Sequence, residues 1–382
     1  MGQGAGVTAA AVRVKRVVLV GGGHSHIEVV RRFGAHPVPN SEITLVDTAR
    51  FATYTGMLPG LVAGHYDFHD CRIDLASLAH RANARFEQAS ACAIDTTQRQ
   101  LALSDGTSLD YDLISLDVGS VPSTAGVAGT ADHAMAVKPF SGFIQQWDKL
   151  VERARSGQLR NVVVVGGGAA GVELVLAMQY RLTQLATPRF ALMSDAHALL
   201  PDHNPGTRAA LEHLLSQRGI EVHLNSRIER VEPSAVVTSN GARIATDATI
   251  WATGAGAPAW LANTGLALDA RGFVTIDEHL QSTSHGGVFA AGDCATIQGH
   301  ADPKSGVYAV RQGPPLAENL RNALSGKPLA KYRPQRLALA LISGGNKYAV
   351  ASYGRYKLAG AWVWRWKNYI DRNFVARYNL KT

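Results

Sequence analysis

The chain has 382 residues, 46% hydrophobic and 18% charged, with a formal net charge of +8; this composition suits two or three globular domains and excludes collagen-like or disordered chains. No uncharged apolar run reaches the roughly 18 residues a membrane-spanning helix needs, and the basic residues are scattered except at the end of the chain, which argues against nucleic acid. Cys71, Cys92 and Cys294 have no C-x-x-C or C-x-x-x-x-C spacing, so no sequence-adjacent disulfide can relay electrons and a reducing cytosol is expected.

Residues 1–12 are Gly/Ala-rich without a basic start and long apolar core, and read as a disordered leader. VVLVGGGHSH, residues 17–26, then reads as a buried parallel strand, a tight turn and the start of a helix. The free N–H groups of such a helix start can hold a pyrophosphate, so Gly21, Gly22, Gly23, His24, Ser25 and His26 form a first candidate dinucleotide turn. His26 stands where a third small residue belongs, so it is expected to splay the helix from its strand or to point outward. EITLVD, residues 42–47, reads as the next strand. Asp47 at its end can bind a ribose hydroxyl pair, the alternative being a solvated strand end. Two histidines in a phosphate turn without acids or thiols beside them do not make a metal site, and none is expected. Residues 54–57 are expected to begin a helix, residues 84–111 to form a small antiparallel ribbon, and residues 112–120 to form a buried strand.

A helix is expected over residues 141–156, followed by VVVVGGGAAGVE at 162–173. Here Gly166, Gly168 and Gly171 complete G-x-G-x-x-G, serving the turn, the close approach to phosphate and the helix–strand contact. Glu173 reads either as a first-turn acid favoured by the helix dipole or as a functional group. A strand at 189–194, a helix at 205–218 and a strand at 247–254 continue this unit. Ser194 stands where NADH users carry an acid, and no Arg or Lys lies between Ser194 and Leu200 to meet a 2′-phosphate, which implies a weak preference for NADH. GVFAAGDCA, residues 287–295, is an apolar strand ending on Gly292 and Asp293 that should return the chain to the first unit. Two dinucleotide turns in one chain point to electrons passing between two cofactors.

With these motifs the chain resembles the pyridine nucleotide–disulfide oxidoreductase superfamily of two-dinucleotide flavoproteins over roughly residues 15–378. The resemblance rests on the two glycine turns, WATG at 251–254 and AAGD at 290–293. It implies FAD in the first site and NAD(P)H in the second. It also implies that Gly254 and Gly292 belong to cofactor turns and that Asp293 holds the flavin's ribityl chain. Glu173 would lie near the nicotinamide carboxamide, Tyr54 beside the flavin and Lys138 at the domain junction. The C-terminal part is similar to type II NADH dehydrogenases, which reduce membrane quinone. VLVGGGHSHIEVVRRF and YTGMLPGLVAGHY are more similar to a bacterial branch associated with selenide,water dikinase. The cysteines do not match the placing in sulfide:quinone oxidoreductases. Where type II dehydrogenases carry A-Q-x-A-x-Q-Q-G, this chain has GVYAVRQG at 306–313. Gln312 and Gly313 are kept, while Val307 and Arg311 replace glutamines.

The expected fold is α/β, with two Rossmann-like dinucleotide-binding domains and the NAD domain inserted in the FAD domain. The FAD domain would span 13–120 and 255–325, the NAD(P)H domain 121–254, and a C-terminal interface or membrane-surface segment 326–382. In that segment Trp362, Val363, Trp366, Tyr369, Ile370, Phe374 and Tyr378 recur at helical steps, with Arg365, Lys367, Asn368, Asp371 and Arg372 on other faces. This reads as a basic amphipathic helix for a lipid interface, its own domain or a homodimer partner, supplying docking and not chemistry. The expected function is FAD-dependent NAD(P)H oxidation with electrons passed to a small-molecule acceptor, quinone favoured. The alternatives are reduction of a small anionic acceptor and a non-turnover flavin- or nucleotide-sensing subunit for a selenium-metabolism partner. The expected location is the cytoplasm, with peripheral contact at the inner face of the cell membrane.

Overall fold

The computed structural model describes residues 13–379 apart from 125, 301 and 302, so the leader expected over 1–12 lies outside the described residues. Strand β1 (Lys15–Val20) buries its last four residues and leads through the first glycine turn into helix α1 (His24–Ala35). Gly21 turns there at φ +93°, and a Cβ on it would stand 2.4 Å from the Asp117 carbonyl oxygen, so only glycine fits. Strand β2 (Ser41–Asp47) pairs parallel with β1. After a short helix at Leu75–Arg81, strand β3 (Arg85–Gln88) pairs parallel with β2. The antiparallel ribbon expected over 84–111 is therefore shorter, consisting of β4 (Ala91–Asp95), β5 (Gln100–Leu103) and β6 (Ser108–Asp110). The helix before β3 makes a crossover, and a crossover lays the following strand parallel to the one it left.

Strand β7 (Leu113–Leu116) pairs on the other side of β1. The second unit runs β8 (Ala134–Ala136), α2 (Phe140–Arg155), β9 (Asn161–Val165), α3 (Ala169–Leu182), β10 (Arg189–Met193), α4 (Pro205–Gln217), β11 (Ile220–His223) and β12 (Ala248–Trp251). Its five strands form one parallel sheet in the order β8-β12-β9-β10-β11. Strand β13 (Val288–Ala290) then pairs parallel with β7, completing a first sheet ordered β13-β7-β1-β2-β3. The fold is α/β, with two Rossmann-like parallel sheets carrying the two glycine turns at equivalent strand ends.

Helix α5 (Gly306–Leu324) packs on α1, and the chain ends in an antiparallel sheet of β14 (Ala340–Ser343), β15 (Ala349–Tyr353) and β16 (Tyr356–Gly360), followed by helix α6 (Ala361–Asn379). This end is built into the cores of both units. Val363, Phe374, Val375 and Tyr378 join the apolar cluster around the first sheet, and Ile342 and Val350 join the one around the second.

The apolar stripe expected on α6 is thereby split. Val363, Phe374 and Tyr378 are buried, whereas Trp362, Trp366, Tyr369 and Ile370 are exposed, Tyr369 at 68%. Lys367 and Asp371, expected on outer faces, are buried. Positions 363, 367, 371, 374 and 378 follow steps of four, four, three and four and so share one helical face, which is the face the fold covers. Removing α6 would therefore open the core, and the helix does more than dock. Among the described residues no helix is long and apolar enough to cross a membrane.

Candidate active site

The first glycine turn is closed by carboxylates. The Gly22 N–H donates to Asp47 Oδ2 at 2.6 Å and the Ala49 N–H to Asp47 Oδ1 at 2.8 Å. Burial raises the Asp47 pKa, the two N–H donors opposing it. His26 neither splays the helix nor points outward. Its ring is fully buried, with Nδ1 2.7 Å from the Gly21 carbonyl oxygen and Nε2 2.8 Å from Ser115 Oγ. A carbonyl can only accept, so Nδ1 carries the proton and Nε2 accepts from the Ser115 hydroxyl. Burial lowers the His26 pKa to about 4, which keeps the ring neutral. The imidazole is tolerated inside because both nitrogens find partners under the strand.

Sequence reasoning missed Asp117 altogether. It follows β7, lies 3% exposed, and its Oδ2 accepts the N–H groups of Ser25 (2.8 Å) and His26 (3.1 Å) in the first turn of α1. Desolvation pushes its pKa up to about 7 against the pull of those two donors, with Asp293 and Asp47 adding like charge. A carboxyl so placed serves as the N-cap that Gly23 cannot supply, from 92 residues away. Nothing local in DLISLDVGS announces it.

Asp293 meets Lys138 and Ser120. Lys138 Nζ lies 3.0 Å from Asp293 Oδ2 and 2.8 Å from Ser120 Oγ, and the Ser120 hydroxyl donates to Asp293 Oδ2 at 3.0 Å. The Gly292 N–H donates to Gln312 Oε1 at 2.6 Å, so Gln312 fixes the Gly-Asp turn from α5. His24 faces Tyr54 edge-on at 5.5 Å, and Tyr54 stacks on Phe374 of α6 at 4.3 Å. Burial lowers the His24 pKa to about 4 and raises that of Tyr54, which lies beside Asp371. His24 is thus a neutral ring and Tyr54 a protonated phenol at neutral pH. Residues 55–57 form a single 3-10 turn, running into a helix at Leu58–Val62.

The second turn is the more open. Gly166 turns at φ +133° with its Cβ position 2.3 Å from the Ala252 carbonyl oxygen, and a Cβ on Gly171 would meet the Gly166 carbonyl oxygen at 1.9 Å. Both glycines are required by packing. At Gly168 and Gly254, by contrast, a Cβ would meet nothing within 4 Å. That open space before α3 fits a dinucleotide pyrophosphate at the N-terminus of the helix. Ser194 occupies the place that Asp47 has in the first unit. Its Oγ accepts the Ala196 N–H at 3.2 Å, as Asp47 accepts that of Ala49, and lies against Gly167 as Asp47 lies against Gly22.

Glu173 is the fifth residue of α3, past the first turn in which the sequence placed it, and its Oε1 accepts the Ser343 N–H at 2.7 Å. Burial pushes its pKa up to about 7, with Lys367 pulling the other way. Lys367 Nζ donates to the Gly56 carbonyl (2.6 Å) and pairs with Asp371 Oδ2 (2.7 Å). Lys367 and Asp371, which the sequence places off the apolar face, are buried. The i, i+4 spacing was visible, but the helix face that carries it was not. Cys71 and Cys294 are buried and burial pushes both thiols up to about 12, while Cys92 is exposed. No cysteine is activated beside the turns, so the thiols offer no redox pair.

A family profile described as pyridine nucleotide-disulphide oxidoreductase matches residues 15–313, more than half of the chain. An NADH dehydrogenase-like protein of Mycobacterium tuberculosis is 27% identical over 307 residues, covering 74% of this chain and 76% of that protein. A type II NADH:quinone oxidoreductase of Haemophilus influenzae is 24% identical over 373 residues, covering 84% and 83%. Among solved structures, the sulfide:quinone oxidoreductase of Aquifex aeolicus superposes with a TM-score of 0.81 at 20% identity, covering 96% of this chain and 92% of that one. This last likeness shows the shared fold.

Proposed function

Because the chain belongs to the pyridine nucleotide-disulphide oxidoreductase family, we propose that it oxidises NAD(P)H through FAD and passes the electrons to a quinone. It is an oxidoreductase whose cofactors are FAD and NAD(P)H. FAD, when bound, supplies the two-electron centre between the nicotinamide and the acceptor.

The observation that carries this reading is a line of side chains joining the two turns. Glu173 near the start of α3 faces Lys367, Lys367 pairs with Asp371, Asp371 adjoins Tyr54, and Tyr54 meets His24 in the first turn of α1. In this reading Asp47 takes the ribose hydroxyls and Asp293, held by Lys138 and Ser120, takes the ribityl chain. The N-terminus of α3 faces one pyrophosphate, as the dipole favours; at α1 the Ser25 and His26 N–H groups already serve Asp117, so the other pyrophosphate relies on the donors ahead of them. Gln312 keeps the Gly-Asp turn in place. Glu173, titrating near neutrality, can hold or release a proton at Oε2, the oxygen that does not accept the Ser343 N–H, beside the nicotinamide. Tyr54 and Phe374 close one side of the flavin cleft and exclude water.

Quinone as acceptor is supported by the Haemophilus relative, named for that activity, and by the exposed Trp362, Trp366, Tyr369 and Ile370 on α6. These side chains suit a lipid interface, at the inner face of the cell membrane. The finer kinship with flavoproteins associated with selenide,water dikinase rests on VLVGGGHSHIEVVRRF and YTGMLPGLVAGHY. The test is anaerobic. NADH should bleach the flavin absorbance of the purified protein, and long-chain quinone in vesicles should restore it. NADH binding that leaves the flavin oxidised would favour a sensing subunit; bleaching that no quinone reverses, with or without lipid, would remove quinone as the acceptor.

A further inference from the structure

Beyond the first turn of α1 the chain builds a second concentration of positive charge. Arg31 and Arg32 of α1, Arg311 of α5, Arg333 in the connection to β14 and Arg377 of α6 line one concavity of about 530 Å³ together with Glu28, within the size range of small-ligand sites. Five guanidiniums and one carboxylate leave four positive charges in excess. Glu28 offsets one charge and has none left for Arg311, Arg333 or Arg377. It is already held by Arg31 Nε (2.8 Å), Arg32 Nε (2.6 Å) and the Tyr378 hydroxyl (3.0 Å). Burial alone would raise its pKa, yet the two arginines bring it down to about 2. Among the described residues none of Arg311, Arg333 and Arg377 pairs with a carboxylate. Guanidiniums cannot relieve the repulsion by losing a proton.

A second observation points the same way. Gln335 lines the same concavity, and its buried Nε2 has no hydrogen-bond partner among the described residues. The wall is therefore rich in hydrogen-bond donors, most of them charged. An occupant that supplies oxygens and negative charge answers the excess of guanidinium charge, and forked guanidinium donors match tetrahedral or planar oxyanions.

We propose that this basin binds a phosphate-class oxyanion, at a site distinct from both dinucleotide turns. Arg31 lies seven residues past the start of α1, roughly 10 Å along the axis at 1.5 Å per residue, so the anion of the first turn does not reach it. Tyr378 connects the basin to the cleft, since its hydroxyl reaches Glu28 and its ring meets Phe374 at 5.0 Å. The inference does not depend on the identity of the electron acceptor. The oxyanion is either free or the headgroup of an anionic phospholipid.

The test uses the full chain loaded with FAD and saturated with NAD+, so that both dinucleotide sites are filled. Melting curves are recorded in sodium phosphate and in sodium chloride at equal ionic strength. Sedimentation is measured with vesicles of phosphatidylglycerol and of phosphatidylcholine. The variants are Arg333→Gln/Arg377→Gln, Arg311→Gln alone, and Lys149→Gln on α2 as a remote surface control. A phosphate-specific rise in melting temperature, weakened about tenfold or more in apparent affinity by the double variant and unchanged by the control, identifies a free oxyanion. Capture on phosphatidylglycerol alone, lost in the double variant, identifies a headgroup. If phosphate acts no differently from chloride and vesicle capture is absent or the same in all variants, the proposal is wrong. A double variant that fails to melt cooperatively is replaced by Arg311→Gln, to which the same outcomes apply.

Discussion

Asp117→Asn should make the protein more stable at high pH and free its FAD affinity from pH. The carboxyl is buried against the first turn of α1, and its pKa is raised from 3.8 to about 7. A raised acid pKa means that the folded state disfavours the charged form. The contribution of Asp117 to stability is full below about pH 4, falls as pH rises towards 7, and stays lost above. At about 1.36 kcal/mol per pKa unit the full loss is roughly 4 kcal/mol, an upper bound for so buried a group. Asparagine keeps an oxygen to accept from the Ser25 and His26 N–H groups and never ionises. The stability of the variant relative to the wild type should therefore rise by roughly 2 to 3 kcal/mol between pH 5 and 7 and then level off. Denaturant unfolding of the apoprotein across pH 5 to 9 reads this difference directly. The same carboxylate stands at the helix terminus proposed for the FAD pyrophosphate, so wild-type FAD affinity should fall above pH 7, by up to about tenfold per pH unit, and the variant should show no such fall. A stability difference that is constant with pH, or a variant that loses more at pH 8 than at pH 5, would refute the reasoning.

Asp293→Ala removes the oxygen that Lys138 and Ser120 share and should lower the flavin content of the purified protein; full occupancy, read from the absorbance ratio, would remove Asp293 from the FAD site. Wild-type protein should prefer NADH to NADPH only weakly, and Ser194→Asp, which recreates the position of Asp47, should sharpen that preference about tenfold, the effect of roughly 1.4 kcal/mol; steady-state kinetics with both nucleotides decide it. Removing residues 360–382 would strip Val363, Phe374, Val375 and Tyr378 from the core, at about 2 to 5 kcal/mol for each large side chain, so loss of all activity is expected. Trp366→Ser/Tyr369→Ser is the sharper variant, since both side chains are exposed. It should spare NADH-dependent reduction of a soluble dye and lower quinone turnover in vesicles. Equal loss in both assays would count against a docking role.

What could be read without coordinates was local. Each glycine turn announces itself because a tight turn, a buried β-branched strand and a helix start fall within a dozen consecutive residues, and φ values of +93° at Gly21 and +133° at Gly166 leave no other residue type there. The strand leading to Gly292 and Asp293 was visible for the same reason. The environment of His26 was not, because its partner Ser115 lies 89 residues away and a histidine in a helix start gives no hint that both nitrogens will be satisfied.

The sequence by itself determined the two parallel-sheet units, their order and the residues at the tips of their turns, because strand pattern and turn sterics act over a few residues. Only the tertiary structure decided which face of α6 is inside. The helix carries apolar groups on both sides, and packing against the first core and the C-terminal sheet chose the side with Lys367, Asp371, Phe374 and Tyr378 and left Trp362, Trp366, Tyr369 and Ile370 in solvent. Tertiary structure likewise set Asp117 on the N-terminus of α1 and gathered Arg31, Arg311, Arg333 and Arg377 around one concavity. Charge and hydrogen-bond demand act through space, and the chain positions they join are too distant for any local pattern to record them.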